Sequence, residues 1–373
     1  LEWHDLVRSQ SRTAAIPNAS SPIFGSFLGL SLALVSHGRD DDRATIAREK
    51  WGTDLQFNPM SMILNEGWDI TQLESRENRL SMLNGPDAFG LLGRTMSHPV
   101  TSIRRQGVGN FATSELFPTT FRADKAQWIP NYQLHLLGGG LLNVKAEEWY
   151  RENGYGSPKL MAFATSAASW ILNETSEIST HSSEYSTDPV ADLLFFDLCG
   201  VLVFQSRAVR GFFRNSVEAM NWPLQPTIDP RDGRVSNAGQ YHALKIPLPR
   251  TDDWRLFYHM GLGNIAGVTR RISSGHSVSI GAGAYARRIV RLDSARNSAA
   301  LAPKLGVFWD RDNSLWVSAF YNGQSVQRFT LQVHPTPFTS WPMPWGFWTS
   351  FGGPGGFGVG VTTSMGFGVG SIP

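Results

Sequence analysis

The last 45 residues, 329–373, contain no Asp, Glu, Lys or Arg. They hold nine Phe and Trp residues and are broken by Pro335, Pro337, Pro342, Pro344 and Pro354. Such a segment makes a poor water-facing surface, because large contiguous apolar patches drive association. It is expected to be ordered and buried, in the protein itself or against a partner. Trp341, Trp345, Trp348, Phe357 and Phe367 are its candidate partner-binding residues. Gly356-Phe-Gly-Val-Gly360 recurs ten residues later as Gly366-Phe-Gly-Val-Gly370. In an extended chain successive side chains point to opposite faces, so Phe357, Val359 and Val361 share one face while Gly356, Gly358 and Gly360 share the other.

From about Gln240 the pattern has a period of two. It predicts strands over 241–247, 254–263, 265–273, 275–292, 300–309, 314–321 and 326–334. Asp310–Asn313 and Asn322-Gly323 serve as tight reversals. Sequential strands joined by short turns make an antiparallel meander. In 275–286, His276, Val278, Ile280, Ala282 and Ala284 share one face, and Ser277, Ser279, Gly281 and Gly283 the other. A sheet face reduced to Gly and Ser receives another backbone or forms the corner of a curving barrel.

The middle of the chain is helical. Residues 131–151 read as two helical pieces around Gly138-Gly139-Gly140. Ser157-Pro158 and Ser186-Thr187-Asp188-Pro189 are helix starts, each with a capping residue before a proline. The second opens a stretch, VADLLFFDLCGVLVF, that is apolar nearly all round and so is expected to be buried. Residues 68–83 are predicted helical and 106–122 extended. The apolar run Ile23–Val35 is too short for a membrane-spanning helix, which needs about 20 residues. The fold class is therefore α+β. An antiparallel meander or barrel-like sheet fills the C-terminal half and carries a buried apolar helix pair from the middle third. Four regions follow: a mixed N-terminal region at 1–130, a helical region at 131–225, the meander at 240–334, and the uncharged Gly/Pro/aromatic tail at 335–373 with a short hairpin.

The charge balance, 33 Lys and Arg against 31 Asp and Glu, is too even for a chain that grips phosphate backbones, and nucleic acid is not an expected partner. The single cysteine, Cys199, excludes an internal disulfide and any multi-cysteine zinc site. No Gly-x-Ser-x-Gly elbow, HExxH or phosphate-binding loop occurs. Glu174, Glu177 and His181 are spaced by three and four residues, so one helix face carries all three. With Asp192 from the next helix they form a candidate metal site. Arg287, Arg288 and Arg291 form a candidate rim for anionic lipid head groups or acidic sugars.

Low charge, abundant Gly and aromatics, and a C-terminal meander suggest a non-enzymatic structural or binding protein of the bacterial outer envelope. It would be a component of a larger membrane-associated assembly, partnered by other envelope proteins and by lipid. The alternative is an envelope hydrolase or transferase acting on lipid or glycan through the carboxylate/His group. No cofactor is expected, a divalent metal at that group being the exception. The chain begins at Leu1 rather than Met, so an export signal is expected to have been removed. The outer membrane or periplasm is the expected location, and secretion the alternative.

Overall fold

The computed structural model describes residues 50–73, 86–118, 127–181, 187–291, 297–325, 327–338, 341–354 and 356–372. The apolar run at 23–35 lies outside them. Helices come first. α1 (Gly52–Gln56) leads into α2 (Pro59–Gly67). α2 opens with a reciprocal cap: the Ser61 N–H donates to the Asn58 side-chain oxygen and the Asn58 N–H to Ser61 Oγ, both at 3.0 Å. Pro59 occupies the first turn, where a missing N–H costs nothing. α3 (Pro86–Ser97) and α4 (Pro99–Gln106) follow.

The stretch predicted extended at 106–122 is helical as far as Leu116. Gly107 (φ +94°) ends α4, after which a turn at Val108–Phe111 runs into π-helical Ala112–Leu116. There the Thr113 and Ser114 hydroxyls donate to the carbonyls of Gly109 and Asn110. The segment is helical without the apolar periodicity that a sequence reading relies on, its hydroxyls turned back onto the preceding turn.

A π-helical segment, Trp128–Gly139, continues directly into α5 (Gly140–Glu152). α6 (Pro158–His181) is the longest helix described and packs against α5, α2 and α3. α7 (Asp188–Val203) contains a π-helical stretch, Asp192–Asp197, and meets α8 (Arg207–Asn215) at 80°. Among the described residues no single helix is long and apolar enough to cross a membrane, although α7 and α8 together qualify as a bent pair.

The remainder is sheet: β1 (Met220–Asn221), β2 (Thr227–Ile228), β3 (Val235–Ser236), β4 (His242–Pro247), β5 (Trp254–Met260), β6 (Gly263–Ser273), β7 (His276–Arg291), β8 (Asn297–Arg311), β9 (Ser314–Asn322), β10 (Phe329–Val333), β11 (Thr336–Phe338), β12 (Trp341–Met343), β13 (Trp345–Gly353), β14 (Gly356–Thr363) and β15 (Gly368–Ser371). Thirteen of these form one sheet in the order β1-β4-β5-β6-β7-β8-β9-β10-β13-β14-β15-β2-β3, and β11 pairs with β12. Every neighbour is antiparallel except β15 and β2. All seven predicted strands have counterparts here. The reversal between β8 and β9 places Asp312 (φ +50°) and Asn313 (φ +67°) in the left-handed region, as a two-residue hairpin turn requires.

The two ends of that strand order belong to one hairpin. β1 and β2 lie on one segment, β3 and β4 on another. Between the short paired stretches, the Trp222 N–H donates to the Tyr241 carbonyl and the Leu224 N–H to the Gly239 carbonyl, both at 2.9 Å. Met220 faces Ala243 and Ile228 faces Val235 in a single unbroken register.

Across this sheet the two faces differ sharply. Along β8, Leu301, Pro303, Leu305 and Val307 are exposed, while Ala302, Lys304, Gly306, Phe308 and Asp310 are buried. The same alternation exposes Phe329 on β10, Trp345, Phe347 and Phe351 on β13, Phe357, Val359 and Val361 on β14, and Val369 on β15. The buried face combines an aromatic cluster of Trp222, Phe257, Phe308 and Phe320 with polar groups: Lys245, His259, Thr269, Ser279, Asp310, Ser318, Gln332 and Thr362. The predicted glycine faces lie on this side. A Cβ at Gly360 would overlap the Trp348 indole, so the glycine leaves the space that the buried ring fills. At Gly267 and Gly283 a Cβ would strike the backbone of the neighbouring strand, which marks the tight coiling of β6 on β7.

The helical region joins the sheet through two apolar clusters, Leu141, Val144 and Phe204 with Met260 and Leu64 and Trp68 with Val235, and through polar contacts. The Gly52 N–H donates to the Pro335 carbonyl at 2.6 Å, and the Gln56 amide donates to Thr362 Oγ1 at 2.9 Å. Tyr258 and Asn264 both bond the Gln133 side chain. Lys145 in α5 forms a buried ion pair with Asp54 in α1 at 2.8 Å.

Candidate functional site

Three helical segments bring carboxylates together around one histidine. His135 stands in the π-helical segment before α5, Glu174 in α6, and Asp192 and Asp197 in α7. A five-residue spacing points to different sides of an α-helix. In a π-helix, whose bonds run from i to i+5, it comes close to one side. The π-helical stretch Asp192–Asp197 thus turns both aspartates toward the same ring. His135 Nδ1 lies 3.2 Å from Asp197 Oδ1, and its Nε2 lies 3.7 Å from Asp192 Oδ2. One ligand atom each from His135, Glu174 and Asp192 fall within 4.8 Å of one another.

Glu174 is 2% exposed, Asp192 3% and Asp197 0%. Glu174 Oε1, Asp192 Oδ1 and Asp197 Oδ2 are buried and accept no hydrogen bond among the described residues. Leaving one buried acceptor unsatisfied costs about 1–3 kcal/mol, more when it is charged. A fourth carboxylate lies nearby: Glu66 of α2 accepts from Ser169 Oγ, and Asn173 donates to its backbone carbonyl at 2.9 Å.

Burial raises the pKa of Glu66, Asp69, Glu174, Asp188, Asp192 and Asp197. Glu174, Asp188 and Asp192 are pushed well above the carboxylate range, chiefly by desolvation and then by one another and Glu177. Desolvation also raises Asp197, against the pull of His135. Glu66 goes from 4.5 to about 8 and Asp69 from 3.8 to about 7, again mainly by desolvation. His135 moves the other way from the effect of its own burial: desolvation lowers it, but Asp197, Glu174 and Glu66 carry it up to about 9.

A pH dependence follows. A carboxyl whose folded pKa is raised holds its proton more tightly in the native state than in the unfolded one. The stability this provides is complete below the ordinary pKa and is lost as pH rises through the folded value. For Glu66 and Asp69 the window runs from about 4 to about 8. The metal-free protein should therefore melt at a higher temperature at pH 5 than at pH 9. Glu66→Gln should flatten the profile, and a midpoint rising with pH would contradict this account.

Of the residues predicted for a metal site, Glu174 and Asp192 come together. Glu177 lies close enough for its charge to act on both, and the side chain of His181 lies outside the described residues. Sequence reasoning missed His135. The signal was present as a lone histidine in the apolar run Leu134–Gly140, but nothing there announces partners 39 and 57 residues away. Arg210, on the helix after α7, is engaged by Glu147 at 2.8 Å.

Among the tail residues, Trp345 and Phe357 are exposed and Trp348 turns inward at 1% exposure. Phe367 packs with Leu64, Trp68 and Val235, and the side chain of Trp341 lies outside the described residues. Arg287 and Arg288 occupy the far end of β7 beside a bulge, Arg288 exposed and Arg287 half-buried. The Arg291 side chain lies outside the described residues. No known protein-family model matches this chain, and no curated protein or solved structure resembles it significantly.

Proposed function

We propose that the chain is a non-enzymatic structural or binding protein of the bacterial outer envelope, held in the outer membrane by a closed β-barrel and serving within a larger envelope assembly. The observation that carries this reading is the inverted character of the sheet. Apart from β4 and β5, where Leu244 and Tyr258 are covered by helices, its exposed face is apolar strand after strand, and its buried face holds lysine, aspartate, histidine, glutamine and hydroxyl groups beside an aromatic cluster. Water-soluble sheets distribute these residues the other way, whereas membrane barrels alternate apolar outward and polar inward.

The register supports closure. Counting the β1–β2 segment, the β3–β4 segment, β5–β10 and β13–β15 gives eleven strand positions. In a ring of eleven, directions cannot alternate all the way round as they do in the even-stranded barrels of bacterial single-chain outer-membrane proteins, so one neighbouring pair must run parallel. β15 and β2 are that pair. The row of partners starting at Pro247 on β4 crosses the sheet to Gly370 on β15. The preceding residue, Val369, faces Ile228 and through it Val235, so one circuit slips by about a dozen residues. Over eleven strands that slip corresponds to a tilt of about 40°, within the usual range of about 35–45° for closed barrels.

Size and residue type agree with a bilayer. The outward residues of β8 from Leu301 to Trp309 rise about 20 Å at this tilt, close to the apolar band of about 25 Å on outer-membrane barrels. Tyr321, Phe329 and Phe351 face one another in one row toward one end. Trp254 and Trp345 are exposed toward the other, where interfacial aromatics gather.

The test is a charge on the outer face. Leu305→Arg and Val307→Arg should each cost about 2–4 kcal/mol at mid-bilayer, read as lost insertion into phospholipid vesicles and lost recovery in the outer-membrane fraction. Ser318→Ala, on the buried face, should insert normally. A wild-type chain that stays monomeric and folded in buffer without lipid or detergent would overturn the reading.

A further inference from the structure

We propose that His135, Glu174 and Asp192 bind a divalent first-row transition-metal ion, of the zinc or manganese type, with Asp197 as the group that orients the histidine. The geometry of the ring carries the argument. Asp197 Oδ1, 3.2 Å from Nδ1, is placed to accept the Nδ1 hydrogen, and a cation that displaces the Nε2 proton takes that nitrogen's lone pair. That nitrogen faces Asp192, 3.7 Å away. Carboxylate, histidine and metal in line is the arrangement that fixes the tautomer and raises ligand basicity in metalloproteins.

The carboxylates point to the same conclusion independently. Glu174 Oε1 and Asp192 Oδ1 are buried oxygens that accept no hydrogen bond among the described residues. Both belong to side chains nearly without exposure, and a ligand atom of each lies within 4.8 Å of the other and of the His135 ring. Metal–ligand bonds of about 2.0–2.2 Å put neighbouring ligand atoms about 3–3.5 Å apart, so a closure of up to about 1.5 Å completes the site. A divalent cation would neutralise the buried carboxylates and give the unpartnered oxygens their ligand. One imidazole with two carboxylates suits Zn²⁺ or Mn²⁺. Mg²⁺ and Ca²⁺ prefer all-oxygen sites, and Cu(I) prefers sulfur.

His135 is 17% exposed at its side chain, which leaves a route for the ion from solvent. The site belongs to the helical region and not to the strands, so it stands or falls separately from the membrane reading.

The experiment uses the full-length chain, purified without a polyhistidine tag, stripped with chelator and titrated calorimetrically with Zn²⁺ and, separately, Mn²⁺. One ion per chain is expected for at least one metal. Glu174→Gln should abolish that binding. Because Gln matches the size and shape of Glu and carries no charge to repel Asp192, it should melt no lower than the metal-free wild type, which separates loss of ligation from loss of fold. Asp197→Asn, which leaves the direct ligands in place, should weaken binding about 10–100-fold. Glu218→Gln, at the β5 end of the sheet, should bind like the wild type. Failure of the wild type to bind either ion stoichiometrically would overturn the proposal, as would undiminished binding by Glu174→Gln.

Discussion

Removing residues 336–373 is expected to leave a chain that cannot assemble in a membrane at all. The deletion takes away β13, β14 and β15, and with them the partners of β10 on one side and of β2 on the other. Two rows of backbone N–H and C=O groups would then face lipid, where each unsatisfied group costs several kcal/mol. The inner face would lose Trp348 and Thr362. The Gln225 amide would lose its bond to the Phe347 carbonyl, and its Oε1 the hydrogen bond from the Thr362 hydroxyl. The expected result is a protease-sensitive product absent from the outer-membrane fraction, unable to insert into vesicles that accept the full chain. A truncated chain that inserts and melts like the parent would show that the tail lies outside the barrel.

How much of this was legible in the sequence depends on the range of the interaction. The strands were readable because period-two alternation is a local property, and the tail's glycine faces were assigned to one side for the same reason. What the alternation means was not. Leu305 facing out and Lys304 facing in looks the same, residue by residue, as the reverse, and only burial in the folded sheet distinguishes them. The pairing on which the proposed closure rests was also hidden, since β15 meets β2 about 140 positions earlier in the chain. The site was half legible. Helical spacing offered Glu174 with Glu177 and His181, and the next helix offered Asp192, but a π-helical turn brings Asp192 and Asp197 to one side, and the composition of α7 does not announce it. The same limit made 106–122 look extended, because its helix lacks the apolar periodicity that marks one.

The second large effect is expected at Lys245. Its ammonium lies on the buried face with both oxygens of Asp310 at 2.7 and 2.8 Å and the Asn313 side-chain oxygen at 3.0 Å. It also sits 5.2 Å from the centre of the Trp222 ring. Lys245 is 1% and Asp310 0% exposed, so neither charge can turn to water when the other is removed. Lys245→Met keeps most of the side-chain volume and deletes only the charge. It strands the Asp310 carboxylate beside the β8–β9 turn, and breaking a buried pair in this way costs about 3–5 kcal/mol. Urea unfolding from lipid vesicles should show that loss as a lowered midpoint. The double variant Lys245→Met with Asp310→Leu should recover most of it, since replacing both members of a buried pair with apolar groups is often close to neutral. The pair of measurements also reports on the barrel's interior. If Lys245→Met alone were nearly neutral, water would have to be reaching Asp310, and the inner face would be a hydrated conduit. A full loss with rescue in the double variant would mean instead that the aromatic cluster around Trp222, Phe257 and Phe308 seals the barrel at this level.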